Sequence, residues 1–139
     1  MPRPTTDIDT VVYHGDCPDG FCAAFVAQKV FPEAQLVPAT YGNPLDDAIV
    51  SGKHVLVVDF SWPRLETERL HGLAKSLLVL DHHLTAEAEL TGLDFCVFDM
   101  TRSGAQIAWD ELMSYTVPRP CYVEYVAESD LWKWQLVES

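Results

Sequence analysis

Three places in this chain gather side chains that bind cations or move protons. "HGDCPDG" (14–20) holds His14, Asp16, Cys17 and Asp19. "VVDF" (57–60) holds Asp59, and "LDHH" (80–83) holds Asp81, His82 and His83. Imidazoles and carboxylates with no obligatory thiolate suit manganese, magnesium or a similar divalent ion. Two such ions about 3.5–4 Å apart are a recurrent arrangement for in-line attack on phosphorus. One carboxylate bridges such a pair, and Asp59, alone in its segment, is well placed for that role. A single acid after a strand would be an ordinary helix cap. Two Asp–His clusters and a lone Asp between them exceed that explanation.

Each cluster closes an apolar run, so the elements explain the spacing. Strands are expected at 10–14, 34–39, 54–60, 76–81 and 94–99, from short runs of large aliphatic and β-branched residues. Pro38 moves the second of these toward a sheet edge. Helices are expected at 20–31, 43–52, 61–74, 85–90 and 103–114, and from about Tyr122 to Trp134. For 43–52 the signals are Asn43 as N-cap, Pro44 at the first helical position and Gly52 as the stop. Helices alternating with apolar strands argue for an α/β fold, with a mostly parallel five-stranded sheet flanked by helices on both faces. In such a sheet the carboxyl ends of the strands share one edge, and ligands bind there.

The 139 residues suffice for one domain, 1–139, with a real core. A net charge of −12, from 21 acids against 9 Lys plus Arg, argues against long duplex nucleic acid as partner. It leaves room for a short phosphorylated substrate, because ligand carboxylates are neutralised by their cations. No apolar run reaches the roughly 20 residues of a membrane span. "MPRPTTDIDT" has no apolar stretch of a secretory signal, so a cytoplasmic location is expected. Cys17, Cys22, Cys96 and Cys121 form no Cys-x-x-Cys pair, which argues against a structural zinc site. Cys22, Cys96 and Cys121 read as small buried apolar residues.

Taken together, "HGDCPDGFCAA" (14–24), "VVDFS" (57–61), "LDHH" (80–83), "DMTRSGAQ" (99–106) and "ESDLWKW" (128–134) follow one another in a familiar order. The chain resembles the DHH phosphoesterases, in a Cys-Pro-Asp-Gly subgroup, over nearly its whole length. The resemblance implies a divalent-metal-dependent phosphoesterase acting on short nucleotides, oligonucleotides or cyclic dinucleotides, with two Mn2+ ions, or Mg2+ or another divalent ion, activating a hydroxide. It places His14, Asp19, Asp59 and His82 on metal-ligand positions, with Asp81 supporting the His pair and His83 near the phosphate. It places Ser103 and Gly104 where free amides would face an anion, against an ordinary helix cap, and Arg102 at the phosphate, against a surface Arg. Cys17 stands where the family carries an acid. Asp16 would supply the missing oxygen, with a Cys17 thiolate as the alternative.

Toward the end of the chain, Glu128 or Asp130 would complete the ligand set. Trp132 and Trp134 read as a base-stacking platform or as core aromatics. Tyr41, Gly42 and Asn43 fall on a loop near the cleft. Complete relatives in the family carry a second, C-terminal domain, and no Gly-rich substrate motif follows here. That leaves a minimal form working as a homodimer, a truncated product, or a partner subunit supplying the other half. The alternative to an enzyme is a non-catalytic or partner-dependent nucleotide- and metal-binding module. A receiver-like phosphoacceptor domain is disfavoured by the tandem histidines.

Overall fold

A computed structural model describes residues 7–113 and 117–138, with the side chains of the last helix described through Ser129. Five strands, β1 (Thr10–His14), β2 (Gln35–Ala39), β3 (His54–Val58), β4 (Ser76–Asp81) and β5 (Cys96–Phe98), form one sheet in the order β2-β1-β3-β4-β5. Every pairing is parallel. Five helices accompany them: α1 (Pro18–Val30), α2 (Arg64–Leu73), α3 (Leu84–Glu89), α4 (Gly104–Met113) and α5 (Cys121–Glu138).

Period-two alternation divides the strands between two cores. Val11, Tyr13, Leu56, Val58, Leu80 and Val97 pack with α1, α4 and α5. Val12, Val55, Val57, Leu77 and Val79 pack on the other face with Val50, Leu70 and Leu73. Both faces are covered, which is why the strands are apolar throughout. Pro38 sits on β2, at the sheet edge, where its missing N–H costs no ladder bond.

The chain runs from β1 outward to β2, then crosses back to β3 on the opposite side of β1. The order reverses between β1 and β3, and a crevice opens at their carboxyl ends. Those two ends carry His14 and Asp59. Among the described residues, no helix is long and apolar enough to cross a membrane.

Two expectations are corrected. The helix expected over 43–52 is only a 3₁₀ turn at Asp47–Ile49. Asp46, not Asn43, is the cap: its side chain accepts the Ala48 N–H at 3.0 Å. Asn43 instead turns back on Thr40. Capping three residues later leaves too little chain for an α-helix before Gly52, which turns at φ 70°. Cys22 is buried as expected, but Cys96 is half-buried and Cys121 is exposed at the start of α5.

Candidate metal centre

His14 ends β1, Asp59 directly follows β3, and Asp81 ends β4 with His82 and His83 behind it. Adjacent parallel strands bring these side chains to one rim. The Asp59 N–H donates to the Leu80 carbonyl at 2.9 Å, fixing it beside the histidines. Asp59 has φ 58°, a left-handed conformation that costs most L-residues about 1–2 kcal/mol and that aspartate is among the few non-glycine residues to adopt. Such strain collects at functional sites.

Asp19 comes from the first turn of α1 and is buried. Its carboxylate accepts the Gly104 N–H at 2.8 Å and the Ala105 N–H at 2.9 Å. The amino end of α4 therefore anchors an acid, consistent with its positive end charge. This corrects one expectation: the Ser103–Gly104 segment offers its amides to Asp19, and the Ser103 N–H to Gln106 Oε1, rather than to a free anion. Glycine is required at 104, because a Cβ there would lie 2.7 Å from Asp59 Oδ1. At Gly20 a Cβ would lie 2.0 Å from the His14 carbonyl oxygen, so α1 presses directly on the end of β1.

His82 Nε2 lies 2.8 Å from Asp59 Oδ1 and 3.2 Å from Asp19 Oδ2. Burial would lower its pKa, but the two carboxylates raise it to about 10. Asp59, only 1% exposed, is pushed up by burial and pulled down further by His14, His82 and His83, to about 2. A cation held between these groups would replace the shared proton as the charge that keeps the carboxylates together.

Asp81 is fully buried and fully engaged. Its Oδ2 accepts the Ser61 hydroxyl at 2.6 Å. Its Oδ1 accepts the His82 N–H at 2.8 Å and His83 Nδ1 at 2.7 Å. That fixes the His83 ring, leaves Nε2 for a ligand, and raises the His83 pKa against its partial burial. Asp81 thus holds the His82 backbone and the His83 ring. Ser61 was overlooked in the sequence, although it lies two residues beyond Asp59 on the same rim.

His14 Nδ1 and Asp59 Oδ2 face each other at 3.7 Å, both buried and neither hydrogen-bonded. One ligand atom each from His14, Cys17 and Asp59 falls within 4.8 Å of the others; so do atoms from Asp59, Asp81, His82 and His83. Asp59 is common to both groups. The residue joining His14 is therefore Cys17, not Asp16. Asp16 adopts φ 59° and its side chain is exposed, because the left-handed turn swings it outward and Cys17 inward. Burial raises the Cys17 thiol above its ordinary pKa, with Asp59 and Asp19 adding to the rise.

One further expectation is corrected. Arg102 does not reach for phosphate: Asp99, Asp110 and Glu111 engage its guanidinium. Glu128 is exposed on α5, and no hydrogen bond or ion pair joins it to the cluster among the described residues. The side chains of Asp130, Trp132 and Trp134 lie outside the described residues. Tyr41, on the loop after β2, stacks on Phe60 with ring centroids 4.6 Å apart and meets the His14 ring edge-on. Beside it opens a groove of about 630 Å³ lined by Tyr41, Ser61, Trp62, Pro63, His83 and Thr85.

No protein-family model matches the chain. It is 26% identical over 149 aligned positions to an uncharacterized protein of Acanthamoeba polyphaga mimivirus, covering 95% of this chain and 35% of that one. A crystal structure of an uncharacterized protein from Helicobacter pylori superposes with a TM-score of 0.73 at 21% identity, covering 91% of this chain and 44% of that one. The likeness is one of fold. The chain spans about a third of the mimivirus protein and under half of the Helicobacter pylori chain.

Proposed function

We propose that this chain is a divalent-metal-dependent phosphoesterase of the DHH type, acting on short nucleotides, oligonucleotides or cyclic dinucleotides. The observation that carries the reading is Asp59: a buried carboxylate, one oxygen without a hydrogen-bond partner, common to two groups of ligand atoms. A buried unpaired carboxylate oxygen costs several kcal/mol in order of magnitude, and a cation is the partner that removes the cost. His14, Asp19, Asp59 and His82 would hold divalent ions, with Mn2+ or Mg2+ matching the oxygen-and-imidazole side. Such ions polarise a phosphoryl oxygen and lower the pKa of a water.

The chain's own residues supply positioning and protons. Ser61 holds Asp81, and Asp81 holds His83 through Nδ1. That leaves Nε2 of a readily protonated imidazole to donate to a phosphoryl oxygen or a departing alkoxide. Tyr41 and Trp62 flank the groove beside His83, and aromatic walls suit a base or sugar.

The test is Mn2+-dependent product release from short oligoribonucleotides and cyclic dinucleotides. Asp59→Ala and His82→Ala should each lose turnover together with cation binding. Full activity in both would refute the reading. Nucleotide binding in calorimetry, with no hydrolysis across several metals, would leave a binding module instead.

A further inference from the structure

We propose that the Cys17 sulfur is itself a cation ligand, completing a nitrogen–sulfur–oxygen subsite with His14 and Asp59 that takes a thiophilic divalent ion of the zinc or cobalt class. The inference rests on the metal-centre reading above and assigns a chemistry to one half of it.

Three observations converge. The first is the gap between His14 Nδ1 and Asp59 Oδ2. At 3.7 Å it is too long for a hydrogen bond, yet close to the edge of about 3.4 Å that two ligands at 2.0–2.2 Å from a tetrahedral ion would span. The second is that both atoms are buried without a partner, on an Asp59 that is only 1% exposed. The third is the backbone that aims the thiol. Asp16 turns at φ 59°, and Cys17 follows in an extended conformation, φ −137° and ψ 124°, ahead of Pro18. Cys17 occupies the cap position of α1, yet its side chain makes no capping hydrogen bond. The sulfur, with the Asp19 and Gly20 amides of the first helical turn nearby, closes the group with His14 and Asp59, all three within 4.8 Å.

The donor set decides the ion. Carboxylates and water suit Mg2+ and Mn2+, whereas a thiolate beside an imidazole favours Zn2+ and its neighbours. The other group, Asp59 with Asp81, His82 and His83, has only oxygen and nitrogen donors. The two halves of the centre would then prefer different ions, with Asp59 common to both.

Cobalt(II) titration of the full chain tests this, because sulfur bonded to cobalt gives a near-ultraviolet charge-transfer band that oxygen and nitrogen donors do not. The expected result is a band that saturates with Co2+, is lost in Cys17→Ser and persists in Asp16→Gly. Cys17→Ser should also weaken Zn2+ binding at least ~10-fold while Cys17→Asp binds Mn2+. Calorimetry separates the failures. Co2+ binding without the band, or a band that survives Cys17→Ser, overturns the sulfur ligand and leaves the metal centre standing. Failure of Co2+, Zn2+ and Mn2+ to bind at all overturns both.

Discussion

Ser61 shows how much one hydroxyl contributes here. It is the only donor to Asp81 Oδ2 among the described residues, and Asp81 has no exposed surface. Ser61→Ala strands a buried carboxylate oxygen and should destabilise the fold by about 1–3 kcal/mol. Loosening the acid that orients His82 and His83 should also weaken cation affinity about 10–100-fold. Denaturant melts and cation titration of one variant measure both. Asp16 predicts the opposite sign. Its left-handed φ is one aspartate tolerates better than most L-residues, but it is free for glycine. Asp16→Gly should gain about 0.5–1 kcal/mol in the same melts, with cation affinity unchanged; a loss of affinity would return Asp16 to the ligand set. Which of Asp16 and Cys17 turns toward His14 was not legible in the sequence. Both side chains are of metal-binding types, and the choice between them depends on the sign of one backbone angle.

At the level of elements, the strands and most helices could be read from the chain, because the strands are apolar on both faces and α1, α2, α4 and α5 open at or just after proline or glycine. His14, Asp59, Asp81 and the histidines were legible as a rim for the same reason: each follows a recognisable strand. The 43–52 segment failed because two caps compete, and Asp46 wins over Asn43 by reaching the Ala48 N–H. Arg102 failed because its partners Asp110 and Glu111 come into reach only once the segment before α4 folds back along the helix. That clamp carries a pH prediction. Burial raises the Asp110 pKa, but Arg119 and Arg102 reverse the effect and hold it below the usual carboxylate value of about 3.9. A carboxylate with a depressed folded-state pKa contributes stability above its unfolded pKa and loses it as pH falls through the folded value. Asp110→Asn should cost about 1–3 kcal/mol at neutral pH, with the gap from the parent closing below about pH 4. Urea melts across pH check it.

For the whole molecule, the centre draws on β1, β3, β4 and α1, with the start of α4 pinned behind it. A cation bound there joins elements that unfolding would separate, so binding and stability are linked. At a hundredfold excess over Kd, Mn2+ or Zn2+ should add about 2.7 kcal/mol, a Tm rise on the order of 10 °C for a domain of this size. A chelator should reverse it, and Asp59→Ala should show no rise. Thermal melts with and without the ion decide the matter.

The bonds from Gly104 and Ala105 to Asp19 join positions 85 and 86 residues apart. On the ribosome, a nascent chain that has emerged only through β5 already carries His14, Cys17, Asp19, Asp59, His82 and His83. It still lacks the two amides that hold Asp19 still. On the metal-centre reading proposed above, loading with metal would be a late event of synthesis, waiting for α4 to clear the exit tunnel and dock.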